Sequence, residues 1–228
     1  MSAEKEFLDS LSLKVSARHC ALLVIDVQND FAAPGGFFHQ VGADVAPFQS
    51  GVIPNINRLI DYARRAGVTV IFIKSHYDPQ YLSAPMRERN ARLGMTMPRC
   101  IAGSWGAELC GVAPAEGEPV VVKHRYSAIL GSNLREVLKD RGIQSLLLTG
   151  IATDTCVEST GRDAYFLDYY VTLVADCCGA ASAEDHNATL PRFNRDYGPV
   201  VNASEVMAIW DGVDNTDIRA RTVVSAAS

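Results

Sequence analysis

Five apolar runs punctuate the chain, at Cys20–Ile25, Val68–Lys74, Val120–Lys123, Ser145–Thr149 and Tyr170–Ala175. They are rich in Val, Ile and Leu and too continuous for strands with one face in water, so they read as buried parallel strands. Between them the apolar period changes to about 3.6 residues. Ile53–Ala66 puts Ile56, Leu59, Ile60 and Ala63 on one face, accepts Pro54 in its first turn and stops before Gly67. Leu134–Arg141 follows Asn133, has Glu136 three positions on in the manner of a capping box, and stops at Gly142. Cys156–Asp168 carries Val157, Ala164, Phe166 and Leu167. Ser182–Phe193 opens on Ser-Ala-Glu-Asp, and Pro191 should end or kink it early. A short strand near Val200–Val201 and a helix around Glu205–Trp210 close the pattern.

Strand–helix alternation of this kind predicts an α/β fold: a single domain with a doubly wound, mostly parallel sheet and helices on both faces. Its core should span about residues 18–210, with an arm at each end. The segment Tyr77–Val112 breaks the pattern with weak periodicity and many Arg, Pro, Gly and Met residues, and a pocket lid is the expectation there.

The 228 residues are 48% hydrophobic and 21% charged, enough for one large core. A formal net charge of −5 argues against a nucleic-acid or anionic-membrane partner. No run approaches the roughly 18 to 20 apolar residues of a membrane span. Met1–Lys14 is mixed and charged rather than signal-like, which makes the cytoplasm the expected compartment. The six cysteines form no C-x-x-C pair and no zinc-type Cys/His spacing. Cys20, Cys177 and Cys178 lie in or beside apolar runs and read as small buried hydrophobes, and no disulfide framework is expected.

In open α/β sheets ligands bind beyond the carboxyl ends of the strands. Three titratable residues fall there. Asp26 closes the first run, Lys123 closes the third, and Cys156 follows the fourth where a helix should begin. Unpaired N–H groups and the helix dipole at such a start should make the thiol ionise more easily than a free cysteine. A carboxylate to take the proton and an ammonium to hold the anions complete a nucleophilic set. Alone, each residue is weak: a strand-end Asp is often a turn former and a strand-end Lys is often solvated.

The local sequences strengthen the set. Asp26-Val-Gln-Asn-Asp-Phe31 with Pro34-Gly-Gly36 resembles the opening motif of the isochorismatase-like cysteine hydrolases. Val122-Lys123-His-Arg-Tyr-Ser127 looks like that family's lysine segment, and Thr149-Gly-Ile-Ala-Thr-Asp-Thr-Cys156-Val is similar to its nucleophile loop. The resemblance covers roughly Ala21 to Ile209. It implies an Asp26, Lys123, Cys156 triad acting on small amides and ureides. It also implies a non-proline cis peptide between Ile151 and Ala152, with the Ala152 and Cys156 N–H groups as an oxyanion hole. Loss of one such donor typically costs on the order of 3 kcal/mol of barrier.

Nicotinamidases of the same superfamily hold a metal through an aspartate and histidines after the first strand. Here Asp44 is followed by Val45-Ala46-Pro47, and His39 and His76 are scattered, so no metal or other cofactor is expected. The lysine and nucleophile segments look most like the ureide branch, which includes ureidoacrylate amidohydrolases, biuret and triuret hydrolases and N-carbamoylsarcosine amidase. The expected partner is therefore a small ureido substrate. Phe31, Trp105 and Tyr126 are candidate pocket walls. Arg87, Arg89 and Arg92 read as a solvated basic face, with reception of a substrate carboxylate as the other reading. A carboxamide hydrolase of the nicotinamidase kind is the nearest alternative, and a thiol-redox or inactive scaffold a remote one. The resemblance further implies a homo-oligomer, dimer or tetramer, with Val206–Trp210 as an interface candidate and an extended arm after Asp211.

Overall fold

The computed structural model describes residues 7–212, so the expected arm beyond Gly212 lies outside the described residues. Six strands form one sheet: β1 (Cys20–Ile25), β2 (Thr69–Ser75), β3 (Val120–Lys123), β4 (Ser145–Ile151), β5 (Tyr170–Gly179) and β6 (Val200–Val201). Their order is β3-β2-β1-β4-β5-β6, and every pairing is parallel. The winding reverses between β1 and β4, which opens a crevice at their carboxyl ends.

Successive residues of a strand point to opposite faces, and both faces here are covered. Cys20, Leu22 and Val24 of β1 join the layer that holds Ile56, Leu59 and Ile60 of the Ile53–Ala66 helix and Val206 of the Ala203–Trp210 helix. Ala21, Leu23 and Ile25 join the other layer, with Leu134 and Leu138, Ala164 and Phe193 from three further helices. Each large aliphatic side chain sealed in this way contributes about 1.5–3 kcal/mol. All six cysteines are free and buried.

Three local expectations change. Pro191 does not end its helix, which runs Ala183–Asp196. The missing bond to the Asn187 carbonyl is offset by Phe193, wholly buried with its ring against Gly161. No capping box forms at Asn133; the Ser132 hydroxyl accepts from the Leu134 N–H instead, at 3.0 Å. Tyr77–Val112 is not all loop, because Ala84–Arg92 is helical. In the last helix Val206 is buried, and Trp210 Nε1 donates to the Val15 carbonyl at 2.8 Å.

Gly150 is required where β4 passes β1. Its φ is +121°, and a methyl group would stand 1.9 Å from the Ile25 carbonyl oxygen. Gly150→Ala should lower stability by at least about 2 kcal/mol. A urea midpoint unchanged from wild type would show that the strands can move apart at no cost.

Candidate active site

Asp26, the first residue past β1, has φ +53°, in the left-handed region that Asp tolerates better than most residues. Its N–H donates to the Ile73 carbonyl at 3.0 Å, so the chain turns while still tied to β2. β1 and β4 are neighbours, which brings Asp26 and Cys156 to one crevice. β3 is two strands from β1, and Lys123 reaches Asp26 over Ser75, its register partner on β2.

The three side chains meet in the interior: Asp26 and Lys123 have no exposure and Cys156 is 5% exposed. Lys123 Nζ is 2.7 Å from Asp26 Oδ2 and donates to Ser75 Oγ at 2.8 Å, to the Arg125 carbonyl at 2.9 Å and to Cys156 Sγ at 3.5 Å. Ser75 Oγ donates to Asp26 Oδ2 at 2.9 Å. The other carboxylate oxygen, Asp26 Oδ1, is buried and has no hydrogen-bond partner among the described residues. A buried acceptor left empty is costly, and here it belongs to the carboxylate that interacts with the Cys156 thiol.

The rest of the Asp26–Phe31 motif builds the wall. Gln28 grips the end of β2, accepting from the Ser75 N–H at 2.7 Å and donating to the Ser75 carbonyl at 3.0 Å. Asp30 accepts from the N–H groups of Phe37 and Cys100, at 3.2 and 2.5 Å, and so fastens two loops over the crevice. Gly36 lets the first of them come close, since a Cβ there would stand 2.1 Å from the Asn29 carbonyl oxygen.

The thiol departs from its sequence expectation. Burial pushes Cys156 up to about 12; Lys123 pulls it down and Asp26 pushes it back up. It is therefore harder to ionise than a free cysteine, not easier. Thr153–Val157 form a wide π turn ahead of the Glu158–Tyr165 helix, and Cys156 packs within that turn against the sheet. Loss of solvation there outweighs the dipole of a short helix. Lys123 is opposed by burial too, but Asp26, Cys156 and Tyr77 together hold it above the usual lysine range.

Burial likewise raises Cys20 to about 12. Both thiols have native values above the ordinary 9.0, so their contribution is complete below about pH 9. As pH rises toward 12 the unfolded chain loses those protons first, and stability falls. Each thiol adds a slope of about −1.4 kcal/mol per pH unit. Cys20→Ala should flatten the decline between pH 9 and 11 by that amount in urea titrations. An unchanged slope would remove Cys20 from the account.

The nucleophile turn is pinned by its own backbone. Thr155 and Val157 N–H groups both donate to the Ala152 carbonyl, at 3.2 and 3.1 Å, and Thr160 Oγ1 donates to the Cys156 carbonyl at 2.7 Å. The Ile151–Ala152 peptide is cis. A cavity of about 100 Å³ stands over Cys156, and Ala152 and Thr155 line it. Phe31 and Tyr126 are in its wall as expected. Trp105 is not: it is 55% exposed on a turn whose carbonyl accepts from Asn29, which fixes the backbone and leaves the indole outside. The sequence reading missed Phe37, Tyr77, Met95 and Arg99, which also line the cavity. Phe37 directly follows Pro34-Gly-Gly36, a signal that could have found it; Arg99 carries none.

A wider hollow of about 650 Å³ lies between Tyr165, Phe166 and Tyr197, and none of the three strand-end residues lines it. Asp44 accepts from the Ala46 N–H and His39 from the Gly35 N–H. Among the described residues no three His, Cys, Asp or Glu side chains form a group that could hold a metal ion. No helix among them is long and apolar enough to cross a membrane.

A carboxylate, an ammonium and a thiol buried together at the carboxyl edge of a parallel sheet, under a small aromatic cavity, define a cysteine hydrolase of open α/β fold. The isochorismatase domain profile matches residues 20–205, and the chain belongs to the isochorismatase family. A ureidoacrylate amidohydrolase, RutB, of Pseudomonas syringae pv. syringae (strain B728a) is 37% identical over 188 residues, 75% of each chain. Among solved structures, a cysteine hydrolase from Pseudomonas syringae pv. phaseolicola 1448A superposes with a TM-score of 0.75 at 22% identity, covering 94% of this chain and 100% of that one. N-carbamoylsarcosine amidase from Thermoplasma acidophilum does so with a TM-score of 0.65 at 25% identity, covering 82% and 98%.

Proposed function

We propose that this protein hydrolyses a C–N bond of a small ureido compound, with Cys156 as nucleophile and release of ammonia. The observation that carries the reading is the buried grouping itself: Lys123 Nζ lies 2.7 Å from Asp26 Oδ2 and 3.5 Å from Cys156 Sγ, while Asp26 Oδ1 has no hydrogen-bond partner among the described residues. The site thus holds an acceptor, a cation and a thiol together under the cavity. The names of the relatives, a ureidoacrylate amidohydrolase and an N-carbamoylsarcosine amidase, support the substrate class.

In the first step Asp26 takes the Cys156 proton as sulfur bonds to the carbonyl carbon. The carbonyl oxygen becomes an oxyanion held by the Ala152 and Cys156 N–H groups. The C–N bond then breaks, and Asp26 returns the proton to the departing nitrogen, leaving an acyl or carbamoyl thioester. Water gives a proton to Asp26 and adds to the thioester carbon. Collapse expels the sulfur, which recovers the proton from Asp26. Lys123 stays charged throughout, offsetting the negative charge that passes between oxygen and sulfur.

Ammonia release should be measured on biuret, triuret, N-carbamoyl amino acids, ureidoacrylate and nicotinamide. Turnover of at least one ureide, well above nicotinamide, is the expected result. Turnover of nicotinamide alone would replace this reading with a carboxamide hydrolase.

A further inference from the structure

Arg99 is 8% exposed and lines the cavity over Cys156. Its guanidinium lies 5.2 Å from the centroid of the Phe37 ring and 5.3 Å from that of Tyr77. Among the described residues its side chain makes one hydrogen bond, long and neutral, from Nη2 to Asn90 Oδ1 at 3.5 Å. Among the described residues it has no ion pair, whereas Arg64, Arg92, Arg162, Arg192 and Arg195 all do. The acids flanking its loops are engaged elsewhere, Asp30 by the N–H groups of Phe37 and Cys100 and Asp78 by the Ala102 N–H.

A buried guanidinium with five donors and no counter-charge is destabilising unless something anionic joins it. Arg89 repeats the pattern on the same cavity. It sits 5.9 Å from the Tyr126 ring centroid, its Nη1 is 3.4 Å from Met95 Sδ, and among the described residues no carboxylate pairs with it. Its neighbours on the Ala84–Arg92 helix are spent elsewhere, Arg92 on Glu88 and Arg87 on the Leu82 carbonyl. Arg99 also lines a second cavity of about 190 Å³ with Asn90, Met97 and Ile101, so the guanidinium stands between the two.

We propose that Arg99, with Arg89 beside it, is the receptor for a carboxylate at the far end of the substrate, so that the ureide taken by this site is an acidic one. The inference rests on the ureide reading above. A planar fork between two aromatic rings matches a carboxylate in bidentate fashion, and the rings keep water from competing. A neutral ureide such as biuret would leave the guanidinium unpaired and be rejected for that reason.

The test compares N-carbamoylglycine and N-carbamoyl-β-alanine with n-propylurea, which is neutral and of similar size. Wild-type kcat/KM should favour the acids by about 100-fold or more. Arg99→Gln should erase most of that preference, chiefly through KM, and leave n-propylurea within about 3-fold. Equal kcat/KM on acids and n-propylurea, or an equal fall on both in Arg99→Gln, would overturn the proposal.

Failure of the hydrolase reading is separated by a binding measurement that needs no turnover. Calorimetric titration with maleate should show binding at least about 30-fold weaker in Arg99→Gln than in wild type, and equal affinity would overturn the receptor. Arg99→Gln breaks no ion pair, so it should melt no lower than wild type; a clear drop would mark Arg99 as structural instead. Should that variant not fold, Arg99→Lys keeps the charge but loses the fork, and maleate bound as tightly as by wild type would count against the proposal.

Discussion

Cys156→Ala is expected to lower kcat for ammonia release by about 10⁶-fold while the ureide still binds. The thiol lies 3.5 Å from Lys123 Nζ and lines the cavity. Without it Asp26 has no proton to accept, and water has no thioester to attack. What remains is positioning and the two backbone N–H donors of residues 152 and 156, worth a residual 10³–10⁴ over water by analogy with triads stripped of a member. Cys156→Ser should be nearly as poor, because an alcohol is still harder to deprotonate in a site that raises even a thiol to about 12. Steady-state ammonia assays with calorimetric binding of the same substrate decide the matter. More than a few per cent of wild-type kcat in Cys156→Ala would end the covalent scheme.

Lys123→Met should cost about 3–5 kcal/mol of stability at neutral pH, because it strands the Asp26 carboxylate in a fully buried site. Asp26→Asn strands the ammonium and should cost a similar amount. The double variant removes both charges, so its loss should be well below the sum of the two, a coupling of several kcal/mol. Urea unfolding of the four proteins measures it. Additive losses would mean that the 2.7 Å ion pair contributes little and that each residue is held by its other hydrogen bonds.

The strands, and the meeting of Asp26, Lys123 and Cys156, were legible because each rests on a short-range signal. β1, β3 and β4 are unbroken apolar runs, and Asp26, Lys123 and Cys156 lie at or just past their ends. The far wall of the pocket was not legible. Arg99 and Tyr77 lie in an irregular stretch whose place over the crevice is set by Asp30 and Gln28, contacts that no periodicity encodes. Trp105 shows the same limit from the other side. An aromatic in a loop-rich segment reads as a wall, yet hydrogen bonds from Asn29 to its carbonyl and from Gln28 to the Ala107 carbonyl fasten the backbone of that turn and leave the indole exposed. Pro191 reads as a stop signal, and burial of Phe193 overrides it. The Cys156 thiol reads as acidified by a helix start, and depth in the fold reverses the sign.

The strand order β3-β2-β1-β4-β5-β6 has a further consequence for how activity is acquired. Asp26, Lys123 and Cys156 arrive from three strands that are far apart in the chain, and each meets the others only after parallel pairings that enclose long loops. No hairpin or helix pair of this protein can hold even two of the three groups together. The grouping is thus a property of the finished sheet. A nascent chain that has made β1 to β3 carries the carboxylate and the ammonium without the thiol, which joins them only once β4 has docked along β1.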